Sequence, residues 1–78
     1  MESYLLLECS SGMMWKTVAE IVKIEGVKMA HVVAGNFDVI AFVEFSNIDE
    51  LTLIIQKVQS LKGVQKTQTA VAMPKQTI

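Results

Sequence analysis

One five-residue pattern occurs twice in this chain, and it constrains the fold more than any other feature. Ile24-Glu25-Gly26-Val27-Lys28 is echoed by Leu61-Lys62-Gly63-Val64-Gln65. In each copy an aliphatic residue closes a stretch of helical periodicity. Glycine then offers a left-handed turn, and valine opens an extended run. A chain of 78 residues that makes the same helix-to-strand turn twice is built from two β-α-β halves.

The rest of the chain fits this division. Ser3–Cys9 is a short apolar run ended by Ser10-Ser11-Gly12, and it reads as a central strand with apolar residues on both faces. Met13–Glu25 carries Met14, Val18, Ile21 and Val22 at helical spacing, with Trp15 or Ile24 extending the stripe. Ser10 or Ser11 is placed to cap that helix. Val27–Ala34 and Val39–Phe45 read as two strands. Between them Gly35 and Asn36 can reach positive φ, so the chain reverses there as a hairpin. Asn47 followed by Glu50 resembles a capping box and predicts a helix from Ile48 to Lys62. Its buried stripe is Ile48, Leu51, Ile54, Ile55, Val58 and Leu61. Val64–Met73 is the last strand, which Pro74 stops because it has no N–H to give. Residues 74–78 read as a frayed tail.

The pattern predicts one α+β domain over residues 1–78, with a ferredoxin-like βαββαβ order. Right-handed crossovers put both helices on one face of a four-stranded antiparallel sheet of order 4-1-3-2. Alternation then sets Val39, Ala41, Val43 and Phe45 on one side of the third strand, and Ile40, Phe42 and Glu44 on the other. On the first strand Leu5 and Leu7 oppose Tyr4 and Leu6. Neither side is polar, so the face without helices carries apolar residues that water should not meet. At ~25 cal/mol per Å², covering a few hundred square ångströms stabilises by roughly several kcal/mol before association costs. A second copy of the same face is the simplest cover, so the chain is expected to be a homodimer of stacked sheets.

Composition removes several functions. Hydrophobic residues make up 51% of the chain, more than so small a core needs, which agrees with burial between subunits. Seven lysines face eight carboxylates, arginine is absent, and no basic stripe is visible, so direct nucleic-acid binding is not expected. Cys9 is the single cysteine, which excludes an intrachain disulfide and a cysteine-rich metal site. No cofactor or metal is expected. No run approaches about 18 apolar residues, and no basic n-region precedes a long apolar stretch, so neither a membrane span nor a signal peptide is read. The expected compartment is the cytoplasm. The sequence offers no activated nucleophile and no convergent carboxylates, since Glu8, Glu44 and Asp38 fall on different strands or ends. An enzyme is therefore not expected.

The hairpin stretch is where glycine, a polar side chain, an aromatic ring and a carboxylate stand together, as Gly35-Asn36-Phe37-Asp38. Here the sequence begins to match a known pattern. Gly26-Val27-Lys28-x-x-His31-x-Val33-x-Gly35-x-Phe37-Asp38 resembles the signature of the C-terminal ligand-binding domain of the Lrp/AsnC transcription regulators. That domain is also called RAM, for regulation of amino acid metabolism. Leu61, Gly63, Val64, Thr67 and Thr69, followed by Val71, resemble the second part of that signature. The resemblance covers about residues 3 to 73. It implies a stand-alone form, because no stretch of this chain reads as a helix-turn-helix.

The resemblance further implies dimers assembled into higher oligomers, from tetramer to octamer or decamer, with amino-acid effectors held between subunits. The site would then combine the Gly35–Asp38 turn with strand four of a neighbour. Consecutive N–H groups of Gly35, Asn36 and Phe37 would form an anion nest for the carboxylate, and Asp38 would take the ammonium group. Thr67 and Thr69 would supply hydroxyls, while Val33, Val71 and Phe37 would shape the side-chain pocket. His31 would be a ligand contact or a titrating interface group. Simpler roles stand beside these: Asp38 holding its own turn, and Thr67 and Thr69 as strand formers. Two other functions also remain. One is a ligand-free oligomerisation partner of full-length Lrp/AsnC regulators; the other is a small dimeric ferredoxin-like enzyme.

Overall fold

A computed structural model describes residues 1–74. The elements run β1 (Glu2–Cys9), α1 (Met14–Ile21), β2 (Val27–Val32), β3 (Val39–Glu44), α2 (Ile48–Gln59) and β4 (Val64–Val71). They form one antiparallel sheet of order β2-β3-β1-β4, which is the order expected. The tail read as frayed falls mostly on residues 75–78, outside the described residues.

The two glycine turns are the joints of the fold. Gly26 and Gly63 both adopt left-handed backbone, at φ 98° and 99°. Both are also tight against the opposite half. A Cβ on Gly26 would stand 2.7 Å from Ile54 Cδ1 and 3.1 Å from the Glu44 carbonyl oxygen. A Cβ on Gly63 would stand 2.9 Å from Met13 Cβ. Each half thus closes its helix-to-strand turn against the helix region of the other.

The helices differ from expectation at their ends. Helix α2 begins as predicted: Asn47 Oδ1 accepts the Glu50 N–H at 2.9 Å, and Glu50 Oε2 accepts the Ser46 N–H at 3.1 Å. It stops at Gln59 instead of Lys62, with the Ser60 hydroxyl bonded to the Lys57 carbonyl. Ile48, the first residue of the helix, is exposed rather than buried. Helix α1 is shorter than predicted and has no side-chain cap; Met13 occupies the cap position, not Ser10 or Ser11. Ser10 instead ties the turn through its backbone, donating to the Gly63 carbonyl and accepting from Met13. Trp15 and Val22 lie outside the buried stripe, and Thr17 lies inside it, its hydroxyl satisfied by the Met13 carbonyl at 2.9 Å.

The core sits between helices and sheet. Leu5, Leu7, Val39, Ala41, Val43 and Phe45 point to the helices and are buried against Ile21, Leu51, Ile54 and Val58. The other face has no cover from this chain. Its rows follow from the register: Met29–Phe42–Tyr4–Ala70, then His31–Ile40–Leu6–Gln68. The Tyr4 and Phe42 rings lie tilted against each other, with centroids 5.3 Å apart and planes at 55°. Tyr4 is 40% exposed and Met29 47%, both large apolar side chains facing water.

Candidate functional site

The hairpin, the end of β1 and the start of β4 lie at one end of the sheet. Val33 N–H donates to the Asp38 carbonyl at 2.9 Å, which closes the β2–β3 turn. Gly35 is left-handed at φ 144°, whereas Asn36 is not, so glycine alone provides the reversal. Among the described residues, the backbone N–H groups of residues 34–37 make no protein hydrogen bond. They remain available to an anion.

Asp38 has a definite structural task. Its N–H donates to the Leu7 carbonyl at 2.8 Å, and its Oδ2 accepts the Cys9 N–H at 2.8 Å. The carboxylate thus stands in for a ladder rung where the regular β1–β3 pairing ends. Its second oxygen has no such bond. Cys9 beneath it is buried, and burial pushes its thiol above the usual 9.0; a hydrogen bond with Thr17 works the other way, and the Asp38 charge adds to the rise. A thiol held neutral is inert, in keeping with a packing role.

The strand-four residues are placed differently from the hairpin. Thr67 and Thr69 oppose Leu7 and Leu5 and so share the helix-covered face. The Thr67 hydroxyl accepts from Gln59 Nε2 at 3.1 Å, which ties α2 to β4. Only β1 separates Thr67 from β3, but the sheet itself stands between its side chain and the open face. Val71 opposes Ser3 at the far end of the sheet, away from the hairpin. Val33 is exposed beside the hairpin, and His31 stands exposed on the open face opposite Ile40. Within one subunit, then, Gly35–Asp38, Val33 and His31 share one end. Thr67, Thr69 and Val71 do not join them on one surface.

A second concavity was not visible in the sequence. A groove of about 1340 Å³ opens at the opposite end of the sheet, among the start of β1, the end of β4 and one flank of α2. Its rim mixes Glu25, Glu44 and Glu50 with Lys28 and Lys57, and Leu53 and Met73 stand beside them. Lys28 and Glu44, from neighbouring strands, pair at 3.9 Å on this rim. Its walls come from segments far apart in the sequence, so no local motif announces it. Among the described residues there is no cluster of His, Cys, Asp and Glu suited to a metal ion. None of their helices is long and apolar enough to cross a membrane.

The comparisons give the family. The profile of the Lrp/AsnC ligand-binding domain matches residues 2–77, and the chain belongs to that family. It is 42% identical over 64 residues to an uncharacterised HTH-type transcriptional regulator of Pyrococcus furiosus, a match that covers 80% of this chain and 43% of the regulator. The chain thus spans less than half the length of that relative. It is also 33% identical over 70 residues to the homocitrate synthase of Sulfolobus acidocaldarius, covering 88% of this chain and 15% of the enzyme. Among solved structures, a hypothetical protein of Pyrococcus horikoshii superposes with a TM-score of 0.86 at 25% identity, covering 95% of this chain and 90% of that one. A transcriptional regulator of Neisseria meningitidis, solved as a complex with L-Met, superposes at 0.80 with 14% identity, covering 95% of this chain and 50% of that one; this likeness shows the fold.

Proposed function

We propose that this chain is a cytoplasmic, non-enzymatic regulatory module that binds an amino acid and assembles as a homodimer or larger oligomer. The observation that carries the reading is the hairpin end. Four successive N–H groups have no protein partner there, beside an Asp38 carboxylate held in place by Cys9 with one oxygen to spare. Donors for a carboxylate and an acceptor for an ammonium group stand within one turn. Gly35, Asn36 and Phe37 would bind the ligand carboxylate, and Asp38 its ammonium group. Thr67, Thr69 and Val71 would come from a neighbouring copy. Family membership supports the reading, and the L-Met bound to the Neisseria relative supports the ligand class.

A thermal-shift screen against the twenty amino acids, followed by calorimetry, tests it. A stabilising ligand is expected, and Asp38→Ala should weaken its binding about ten- to hundredfold, the loss of one charge-assisted hydrogen bond. If wild type and Asp38→Ala bind equally well, Asp38 is a turn residue only.

A second reading rests on a separate observation, the bare apolar sheet face. By that face the chain would join full-length relatives without a ligand of its own. The regulators and the homocitrate synthase among its relatives support a domain that serves different partners. Absence of any amino-acid response, with mixed assemblies forming on addition of a full-length regulator, would favour it.

A further inference from the structure

We infer that the free edge of β4, with the groove beside it, takes an extended segment of another protein as a fifth strand, and that this segment carries a carboxylate that meets Lys57. The inference goes beyond the amino-acid reading and does not depend on it.

Helix α2 leaves this place open. At its last residue, Gln59 holds Thr67 of β4 at 3.1 Å. Further back, Ile54 lies against Gly26, just before β2 at the opposite edge of the sheet. The helix therefore crosses the sheet obliquely, and the last part of β4 has no helix above it. Val71 opposes the buried Ser3 and so belongs to the helix-covered face, yet it is 45% exposed. Leu53 on the flank of α2 is 52% exposed. Both line the groove, together with Met73 and Lys57.

The strand edge beside the groove is equally bare. β4 is an outer strand of the sheet. The Ala72 N–H donates to the Glu2 carbonyl at 2.9 Å, so alternation turns the N–H groups of Val71, Thr69 and Thr67 away from β1, toward the free edge. Such edges are commonly guarded by short length, lysines or bulges. The other edge has these guards: β2 has six residues, Lys28 among them, and an irregular register at its start. β4 has eight residues, and no charge falls between Thr67 and Met73. An added strand bonds to the main chain of β4, while every second side chain falls between β4 and α2.

Charge decides the occupant. Lys57 lines the groove on the flank of α2, and the one ion pair among the described residues joins Lys28 and Glu44 instead. Glu50, two helical turns before Lys57, has one oxygen on the Ser46 N–H. A carboxylate on the incoming strand is the partner Lys57 lacks. Neither edge strand of this chain can bring one: β4 reads Val-Gln-Lys-Thr-Gln-Thr-Ala-Val and β2 reads Val-Lys-Met-Ala-His-Val. Each would bring a lysine to a lysine, so the occupant is a different polypeptide. Val71 and Leu53 stand on the helix side, so a second copy stacked on the open face leaves them accessible.

The test uses synthetic nine-residue peptides and the intact, isotope-labelled chain. The first peptide carries valine, glutamate and valine at alternate positions on one face, threonines on the other and a lysine at each end. The second has lysine in place of the glutamate. The third keeps the glutamate but has N-methyl groups on alternate amides. The first should shift the amide resonances of residues 67–73 and of Lys57, and the second should bind several-fold more weakly. The third should not bind, because it cannot pair with β4. Lys57→Glu, an exposed change, should reverse the preference between the first two. Thr69→Pro removes an N–H that faces the free edge, so it should stay folded by circular dichroism and lose the peptide. If the glutamate and lysine peptides bind alike, if the shifts fall on the open face, or if no peptide binds, the inference is overturned. It is overturned as well if Thr69→Pro, without peptide, sediments as a smaller species than the wild type, since the edge then belongs to a second copy.

Discussion

The two faces of the sheet are made from the same strands and nearly the same residue types, yet they meet different surroundings. On one face Leu5, Leu7, Val39 and Val43 are at most 1% exposed beneath the helices. On the other, Tyr4, Leu6, Ile40 and Phe42 alternate with them and have no cover from this chain. Hydrophobicity therefore does not tell which face is the core. Two right-handed crossovers put both helices on the same side, and topology decides. The same residue types drive folding on one face and lie without cover on the other.

The largest effect that should separate the faces is a pair of truncations one residue apart. Leu7→Ala on the covered face should cost about 2–5 kcal/mol of stability in urea unfolding, since Leu7 is wholly buried. Leu6→Ala should cost little of the fold and act on self-association instead. Equal losses of stability, independent of protein concentration, would break the distinction.

A smaller effect is expected where the faces meet the hairpin. Asp38→Ala leaves the Cys9 N–H without its partner, so besides ligand affinity it should lower stability by about 1–3 kcal/mol. Asp38→Asn keeps an acceptor and should recover most of that stability while still weakening ligand binding. The turn lies at the end of the hairpin, outside the buried core. The bond to Cys9 makes it a clamp on β1 as well.

The smallest effects concern polar atoms inside the covered face. Ser3 is fully buried, and its hydroxyl has no partner among the described residues. Ser3→Ala should be neutral or slightly stabilising by thermal melt, because it removes an unsatisfied group without opening a large cavity. Cys9 gives a pH signature. Its folded thiol titrates above the ordinary 9.0, so above that pH the unfolded chain loses its proton while the folded one keeps it. Stability from this group is complete below that value and falls as pH rises toward the folded pKa. Cys9→Ala should flatten the alkaline arm of the stability profile.

Local signals account for what the sequence made legible. The Gly-Val repeat marked both helix-to-strand turns, strict alternation marked both sheet faces, and Asn47 with Glu50 marked the start of α2. What stayed hidden depends on contacts between distant segments. Asp38 holds Cys9 across 29 positions, and no spacing rule reveals such a bond. Thr17 looked polar on an apolar stripe, yet its hydroxyl is satisfied within its own turn. Ile48 fitted the periodicity of α2 but stands exposed at its first position, which periodicity does not register. The hairpin itself was legible; the side of the sheet on which Thr67 stands was not.

The claim that ties fold to function is that a second copy covers the open face. Sedimentation equilibrium at micromolar concentration, on the wild type and on Phe42→Glu, tests it most directly. The wild type should sediment at twice 8.6 kDa or more, and Phe42→Glu as a folded 8.6 kDa monomer with an unchanged far-ultraviolet spectrum. A wild type that sediments only as an 8.6 kDa species, or a Phe42→Glu variant that associates as tightly as the wild type, would contradict the account.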